Sequence, residues 1–270
     1  MDLRTRYRKH GAIGFARWFL IKRVGRGILV ATDRFFARQS LVGDPPVIDG
    51  RALPWVADLE ASWKAVRHEV DGLLAKRELL PPIHEIQPDQ YNLSKGDLWK
   101  TCFLFGYGAR SERNCARCSE TVRLLDRIPG VTLAWFSILA PGTHIPRHAG
   151  ITKGVIRCHL GLVVPRGPGR CELEVDGTYN HWEEGRLLLF DDSRRHEVWN
   201  ETAEERVVLL FDVVRPMRRP GRALMSAVAQ IMRLSPFVRT ARRNQLAWEQ
   251  KLDAEEAVLR ARPPTSPPPG

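Results

Sequence analysis

The sequence predicts a mainly β domain with flanking helices. Short apolar runs with the length and pattern of β-strands are separated by segments rich in Gly, Pro and Asp. A barrel or a sandwich is the usual closure for a series of such short strands. The clearest runs are residues 155–164, 171–175, 187–190 and 207–214.

A helix is predicted ahead of these strands, over residues 54–77. Its apolar residues recur at spacings of three and four, which places them on one face. They are Leu59, Trp63, Val66, Val70 and Leu73. Residues 78–97 are rich in Pro and predict a loop, residues 98–107 a strand, and residues 119–128 a short amphipathic helix. We expect these elements to support the β domain.

The net charge of +11 is unevenly distributed over the 270 residues. Residues 1–38 hold ten Lys and Arg against two acids, and residues 215–243 hold eight Arg and no acid. The part between them, residues 39–214, is mildly acidic. The chain is long enough for one domain of about 160 residues with basic appendages.

Both basic flanks have the composition of amphipathic helices. In residues 1–38 the cations alternate with apolar residues, and no uncharged stretch approaches the length of a membrane span. Arg17, Lys22 and Arg23 interrupt the apolar core that a signal peptide needs. Two interpretations remain open for this flank: a helix on an anionic membrane surface, or a helix packed on the domain.

The predicted organisation has four parts: a basic amphipathic segment (1–40), the β domain (50–216), a basic amphipathic helix (217–250), and a charged helix end with a Pro-rich disordered tail (251–270). We expect a cytoplasmic protein with peripheral contact to the inner face of a membrane through residues 1–38 and 217–243. No nucleic-acid partner is expected, because no nucleic-acid-binding motif is present.

Two histidines stand out as candidate metal ligands. His148 and His196 lie 48 residues apart, each just after a turn-like segment, and Arg206 follows ten residues later. Imidazole is a common ligand of iron, and two imidazoles leave several positions open. The usual non-haem iron pattern places a carboxylate two residues after the first histidine, but this chain has Gly150 there.

Six motifs in this order resemble the aspartyl/asparaginyl β-hydroxylase family of Fe(II)/2-oxoglutarate-dependent oxygenases, in its small bacterial type. They are HIPRHAG (144–150), RCHLG (157–161), WEEG (182–185), FDDS (190–193), HEVWN (196–200) and Arg206. The resemblance implies a double-stranded β-helix, the jelly-roll or cupin-like barrel. It also implies Fe(II), 2-oxoglutarate as co-substrate and O2.

The resemblance further implies roles for the residues around the metal. His148 and His196 match the two iron ligands, and Gly150 matches the family's lack of a carboxylate ligand. Asp192 matches an acid that hydrogen-bonds a metal-bound water. Without the resemblance, Asp192 fits a turn former equally well.

Four more residues match groups that hold 2-oxoglutarate in the family. Arg206 and Ser137 match the pair at its far carboxylate, and Arg157 and His159 match groups near its oxalyl end. Physical chemistry supports Arg206 independently, because a guanidinium fits a carboxylate bidentately. In an apolar strand, an unpaired charge at residue 206 would be costly.

The resemblance implies hydroxylation of an unactivated C–H, and we favour the β-carbon of an Asp or Asn unit in a peptide, a free amino acid or a carrier. The alternative is 2-hydroxylation of an acyl chain of a bacterial membrane lipid. Aspartyl-type members have an arginine at the position of Val155, and what replaces it here stays open; Arg147 and Lys153 are two candidates. A non-catalytic carboxylate-binding barrel stays open as a third interpretation.

The five cysteines predict reduced thiols, since no secretory signal is present. Cys115 and Cys118 have the CxxC spacing, but no second pair with metal-ligand spacing accompanies them.

Overall fold

The computed structural model describes residues 30–94, 96–106 and 108–261. Two antiparallel sheets form the domain. The seven-stranded sheet has the order β1-β9-β6-β11-β4-β2-β3, and the four-stranded sheet has the order β5-β10-β7-β8. The strands are β1 (Val47–Ile48), β2 (Trp99–Gly106), β3 (Ala109–Arg110), β4 (Val131–Leu139), β5 (Thr143–His148), β6 (Val155–Val163), β7 (Cys171–Val175), β8 (Thr178–Asn180), β9 (Leu187–Phe190), β10 (His196–Asn200) and β11 (Arg206–Val214).

The eight strands from β4 to β11 form a double-stranded β-helix, which confirms the predicted fold class. The chain passes back and forth between the sheets: β4, β6, β9 and β11 belong to the large sheet, and β5, β7, β8 and β10 to the small one. Strands distant in sequence therefore become neighbours, as β11 does between β4 and β6.

The large sheet is buried on both faces. Because side chains alternate along a strand, Leu209 and Phe211 point towards the supporting helices, and Val208 and Leu210 point towards the small sheet. The inner layer also contains three tryptophans: Trp99, Trp135 and Trp182. The polar side chains of the candidate site are set into this inner, mostly apolar layer.

Eight helices flank the sheets in the described part. They are α1 (30–39), α2 (Val56–Ala61), α3 (Trp63–Leu74), α4 (Ile83–Ile86), α5 (Glu112–Arg117), α6 (Ser119–Leu125), α7 (Arg219–Arg233) and α8 (Pro236–Ala261). Most of the segment predicted as the basic N-terminal helix, residues 1–29, lies outside the described residues, as does the end of the Pro-rich tail, 262–270. Among the helices described, none is long and apolar enough to cross a bilayer.

The predicted helices are subdivided in the structure. The helix expected over residues 54–77 breaks at Ser62, whose hydroxyl donates to the carbonyl of Asp58, so that α2 ends and α3 begins there. The predicted loop 78–97 contains α4, which is too short to show a helical periodicity. The single helix predicted over 217–250 is two helices, because the chain turns before Pro236, which opens α8.

Candidate active site

The two predicted metal ligands lie side by side on neighbouring strands. His148 ends β5, His196 begins β10, and the two residues are paired across the ladder. Their ring centroids are 4.1 Å apart, with an angle of 57° between the ring planes. The fold therefore brings together two imidazoles that are 48 residues apart in sequence.

Each imidazole is oriented by a backbone carbonyl. Nδ1 of His148 lies 2.8 Å from the oxygen of Pro146, and Nδ1 of His196 lies 2.9 Å from the oxygen of Arg194. A carbonyl can only accept, so each Nδ1 carries the proton and each Nε2 keeps its lone pair. Burial lowers the pKa of both histidines to about 4, and they are neutral at neutral pH.

The Asp192 carboxylate fills the space beside Gly150. Gly150 N–H donates to the backbone oxygen of Asp192 at 2.7 Å, and Asp192 Oδ1 lies 3.4 Å from Nε2 of His196. A Cβ at residue 150 would lie 1.7 Å from Asp192 Oδ2. The carboxylate near the histidines therefore comes from residue 192, and residue 150 has no room for a side chain.

We expect Gly150→Ala to destabilise the protein by about 1–3 kcal/mol, because the added methyl group overlaps the Asp192 carboxylate. In an Asp192→Ala background the same change should cost little, since the overlapping atoms are absent. Chemical denaturation of the wild type, the two single variants and the double variant measures the coupling energy between residues 150 and 192. An equal cost of Gly150→Ala in both backgrounds would show that the two residues do not interact.

Arg157 connects Asp192 to a second buried acid. Its Nε and Nη2 donate to the two carboxylate oxygens of Asp212, both at 2.9 Å, and its Nη1 pairs with Asp192 Oδ1. The guanidinium holds the Asp192 carboxylate beside His196. Contact between Arg157 and 2-oxoglutarate stays a prediction. Sequence reasoning missed Asp212, although a lone acid in the apolar strand 206–214 was a usable signal.

Arg206 is buried in the inner layer and forms no ion pair with any residue that the structure describes. Its side chain is 1% exposed, and Nε and Nη1 have no hydrogen-bond partner among the described residues. The guanidinium carbon lies 4.5 Å from the centroid of the Trp182 ring. Burial lowers the pKa of Arg206 to about 10, which means that the charged form lacks a stabilising partner. A carboxylate would supply that partner.

His159 provides a second unpaired donor in the same layer. Nε1–H of Trp182 donates to Nδ1 of His159 at 3.2 Å, so Nε2 of the neutral imidazole carries its proton. That Nε2 is buried without a partner in the described ranges, and burial holds the pKa of His159 well below its ordinary value. Arg206 and His159 thus both present buried N–H donors that no described group accepts from.

Ser137 lies on the strand beside Arg206. Arg206 pairs with Leu139 and Val208 pairs with Ser137 across β11 and β4, which puts Arg206 and Ser137 on the same, inner face. The Ser137 hydroxyl accepts from Nε1–H of Trp99 at 3.0 Å and can still donate. The residues predicted to hold 2-oxoglutarate therefore share one buried layer.

A network of buried charges supports the loop that carries Asp192. The neighbouring Asp191 is fully buried and pairs with Lys153 and with Arg215, the latter at 3.1 Å. Lys153 also pairs with Asp44 at 2.6 Å, and its backbone N–H donates to Asp33 of α1 at 2.8 Å. Residues 33–44, ahead of the β domain, therefore hold the loops on both sides of the histidine pair.

An apolar groove begins at this site. It has a volume of about 550 Å³, and Arg157, Asp192 and Asp212 line one end. The groove crosses the end of the large sheet from β6 to β3, beneath α7. Arg110, Asp126 and Arg233 line the other end.

The remaining predicted features lie away from the site. All five cysteines are free thiols, and burial raises the pKa of Cys115 to about 11, which makes it a poor nucleophile or ligand. In the described part of the chain no group of three or more His, Cys, Asp or Glu side chains could hold a metal. The histidine pair is the candidate metal site.

The relatives define the class of protein, a dioxygenase that acts as a hydroxylase. The family model for aspartyl/asparaginyl β-hydroxylases matches residues 60–216. The chain belongs to the aspartyl/asparaginyl β-hydroxylase family, as the sequence motifs predicted. Its hydroxylase relatives favour an enzyme over a non-catalytic barrel.

Two relatives differ in the substrate that they are named for. The chain is 40% identical to an ornithine lipid ester-linked acyl 2-hydroxylase of Rhizobium tropici, over 84% of this chain and 80% of that protein. It is 36% identical to the human aspartyl/asparaginyl β-hydroxylase, over 61% of this chain but 22% of that longer protein. Among solved structures, a prolyl-4-hydroxylase of Pseudomonas putida is similar with 18% identity and a TM-score of 0.37, covering 57% of this chain and 88% of that chain.

Proposed function

We propose that this protein is an Fe(II)/2-oxoglutarate-dependent hydroxylase of a membrane-lipid acyl chain, acting at the carbon next to the acyl carbonyl. The observation that carries the proposal is the apolar groove that starts at Asp192, whose carboxylate lies 3.4 Å from Nε2 of His196. The 40% identity to an ornithine lipid acyl 2-hydroxylase supports the same substrate class.

The groove has the length and lining of an acyl-chain site. It crosses from β6 over β11, β4 and β2 to β3, four strand spacings of about 4.8 Å, or roughly 19 Å. With C–C bonds of about 1.5 Å at tetrahedral angles, that length suits roughly 15 chain carbons. Most of its lining is apolar and includes Phe105, Leu125, Ile128, Val131, Val155 and Met225.

Val155 favours a lipid over an aspartyl substrate. It lies in the groove wall, at the position where the aspartyl-type enzymes are expected to have an arginine. Of the two candidate substitutes, Lys153 is paired with Asp44 and Asp191, and Arg147 lies 3.4 Å from Glu174. An apolar acyl chain does not require a cation at this position of the groove wall.

Hydroxylation of an Asp or Asn unit, favoured by the sequence alone, is the second candidate. The 36% identity to the human β-hydroxylase supports it. In the groove Arg157 is the cation nearest to the histidine pair, but its guanidinium is already engaged by Asp192 and Asp212. A substrate carboxylate would have to compete with both acids.

The residues present fit the implied metal and co-substrate. We assign Fe(II) to the free Nε2 atoms of His148 and His196, and the far carboxylate of 2-oxoglutarate to Arg206 with Ser137. When bound, Fe(II), 2-oxoglutarate and O2 supply the oxidation, which converts C–H to C–OH and 2-oxoglutarate to succinate and CO2.

The protein's own part is placement, charge and exclusion of water. Arg206 neutralises the co-substrate carboxylate inside an apolar layer, where the interaction is strong. His159 donates through Nε2–H to the same ligand. Asp192, held by Arg157, accepts hydrogen bonds beside the metal ligands. The groove wall would hold an acyl chain, and the end of the groove at Arg157 and Asp192 is the end nearest to the histidine pair.

Succinate formation tests the proposal. Anaerobic protein loaded with Fe(II) and 2-oxoglutarate is exposed to O2 with an ornithine-lipid fraction, with a total lipid extract lacking it, or with Asp and Asn peptides. We expect acylated lipid to stimulate succinate formation and peptides to leave it unchanged. If peptides alone stimulated succinate formation, the lipid substrate would be wrong and hydroxylation of an Asp or Asn unit would take its place.

Filling the groove should block long acyl chains. Ala229→Phe, on the α7 wall of the groove, is expected to lower lipid hydroxylation at least about tenfold, because the added ring overlaps the acyl path. Affinities for Fe(II) and 2-oxoglutarate should not change. Ser226→Phe, at an exposed polar position of the same helix, is the control. Equal activity of the two variants would exclude this groove as the acyl site.

A further inference from the structure

We infer that α7 seats the enzyme on an anionic bilayer, with its outer apolar side chains inserted and its inner side forming the wall of the acyl groove. This inference rests on the proposed function for the identity of the substrate. The seating itself is derived from the exposure and charge of α7 and can be tested without turnover.

The two sides of α7 have different environments. Met225, Ala229 and Met232 line the groove on the inner side. On the outer side Leu224 is 36% exposed, Ile231 is 71% exposed, and Leu234, directly after the helix, is 76% exposed. We call Leu224, Ile231 and Leu234 the docking face. Moving side chains of this size out of water is favourable, so each of them strengthens binding to an apolar environment.

The charge around the docking face suits anionic headgroups. Residues 215–243 hold eight arginines and no acid. Arg215 pairs with Asp191, and the other seven form no ion pair with any described residue. They are Arg218, Arg219, Arg222, Arg233, Arg239, Arg242 and Arg243. Cations near an anionic bilayer are attracted to its headgroups, and the long arginine stems allow the apolar neighbours to insert.

Charge also argues against the chain's own N-terminal segment as the occupant of this face. Residues 1–29 hold eight Lys and Arg against one acid. Packing that segment on α7 would bring like charges together, whereas an anionic bilayer complements both segments. A second copy of the chain would meet the same repulsion.

The arrangement has a consequence for substrate entry. Because one short helix carries both the docking face and a wall of the groove, a lipid in the bilayer lies next to the site that takes its acyl chain. The acyl chain can pass from the bilayer into the groove with little exposure to water. The headgroup stays at the membrane surface.

The test compares two double variants of the full chain with equal charge changes. Ile231→Asp with Leu234→Asp alters the docking face, and Ser226→Asp with Gln230→Asp places the same charge on exposed polar positions of α7. Cosedimentation uses vesicles of phosphatidylcholine with phosphatidylglycerol, and phosphatidylcholine alone. We expect the wild type to bind the anionic vesicles, and the docking-face variant to bind at least about tenfold more weakly than the control variant.

Lipid hydroxylation separates this inference from the proposed function. The docking-face variant should lose activity on lipid in vesicles and keep it on lipid in detergent micelles. Vesicle binding without hydroxylation of any lipid would refute the proposed function and leave the docking face in place. Equal vesicle binding by both variants would overturn the docking face. The inference would also be overturned if the wild type were a dimer, the docking-face variant a monomer, and vesicle binding the same for both. That result would assign the docking face to contact with a second copy of the chain.

Discussion

Replacing His196 by alanine is expected to abolish iron binding and lower turnover at least about 100-fold. Substitution of groups that merely support a metal ligand already costs 10–100-fold. The change removes one of two imidazoles whose rings lie 4.1 Å apart and whose Nε2 atoms are free to bind. His148→Ala should have the same effect. Fe(II) titration and succinate formation measure the two quantities separately.

His144→Ala is the matched control for this prediction. His144 lies on the same strand as His148, but its side chain is 47% exposed, stacks on Trp199 and lies 2.6 Å from Glu197. Its loss should leave iron binding and turnover within about twofold of wild type, as is usual for surface substitutions. If the His196 and His144 variants bind iron equally well, the ligand assignment is wrong.

Arg206→Met is expected to stabilise the protein without co-substrate while removing its function. The guanidinium is buried with Nε and Nη1 unpartnered in the described residues, so its charge is uncompensated until an anion binds. A methionine of similar length should raise the free energy of unfolding by about 1–3 kcal/mol. The loss of two charge-assisted hydrogen bonds should weaken 2-oxoglutarate binding at least about 100-fold.

Denaturation with and without 2-oxoglutarate measures both effects. The wild type should gain stability on adding 2-oxoglutarate, and the Arg206→Met variant should not. Arg206→Lys is the control, because it keeps the charge but loses the planar fork, and should bind with intermediate affinity. A variant Arg206→Met that is less stable than wild type yet still stabilised by 2-oxoglutarate would show that Arg206 is only structural.

The fold could be predicted from sequence because its strands are short, apolar and separated by turns. Strand pairing could not, since the neighbours of β11 are β4 and β6, which lie far away along the chain. Helix boundaries also escaped prediction. The helix expected over residues 54–77 is interrupted at Ser62, and no periodicity reveals that break.

The predicted site residues occupy one region of the fold, although the sequence could not show how they are connected. Asp192 was predicted as an acid near the metal, but the sequence could not show that its carboxylate lies beside Gly150. The ion pairs of Asp212 and Asp191 could not be predicted, because their partners Arg157 and Arg215 come close to them only in the folded chain. The groove likewise exists only where α7 covers the end of the sheet.

Isotope labelling of the product tests the central claim most directly. Enzyme, Fe(II), 2-oxoglutarate and an ornithine-lipid fraction are incubated under ¹⁸O2, and lipid and succinate are analysed by mass spectrometry with fragmentation of the acyl chain. We expect one ¹⁸O in the hydroxyl on the carbon next to the acyl carbonyl and the other in succinate. Labelled succinate with no labelled lipid, together with an ¹⁸O-hydroxylated Asp or Asn peptide in a parallel reaction, would contradict it.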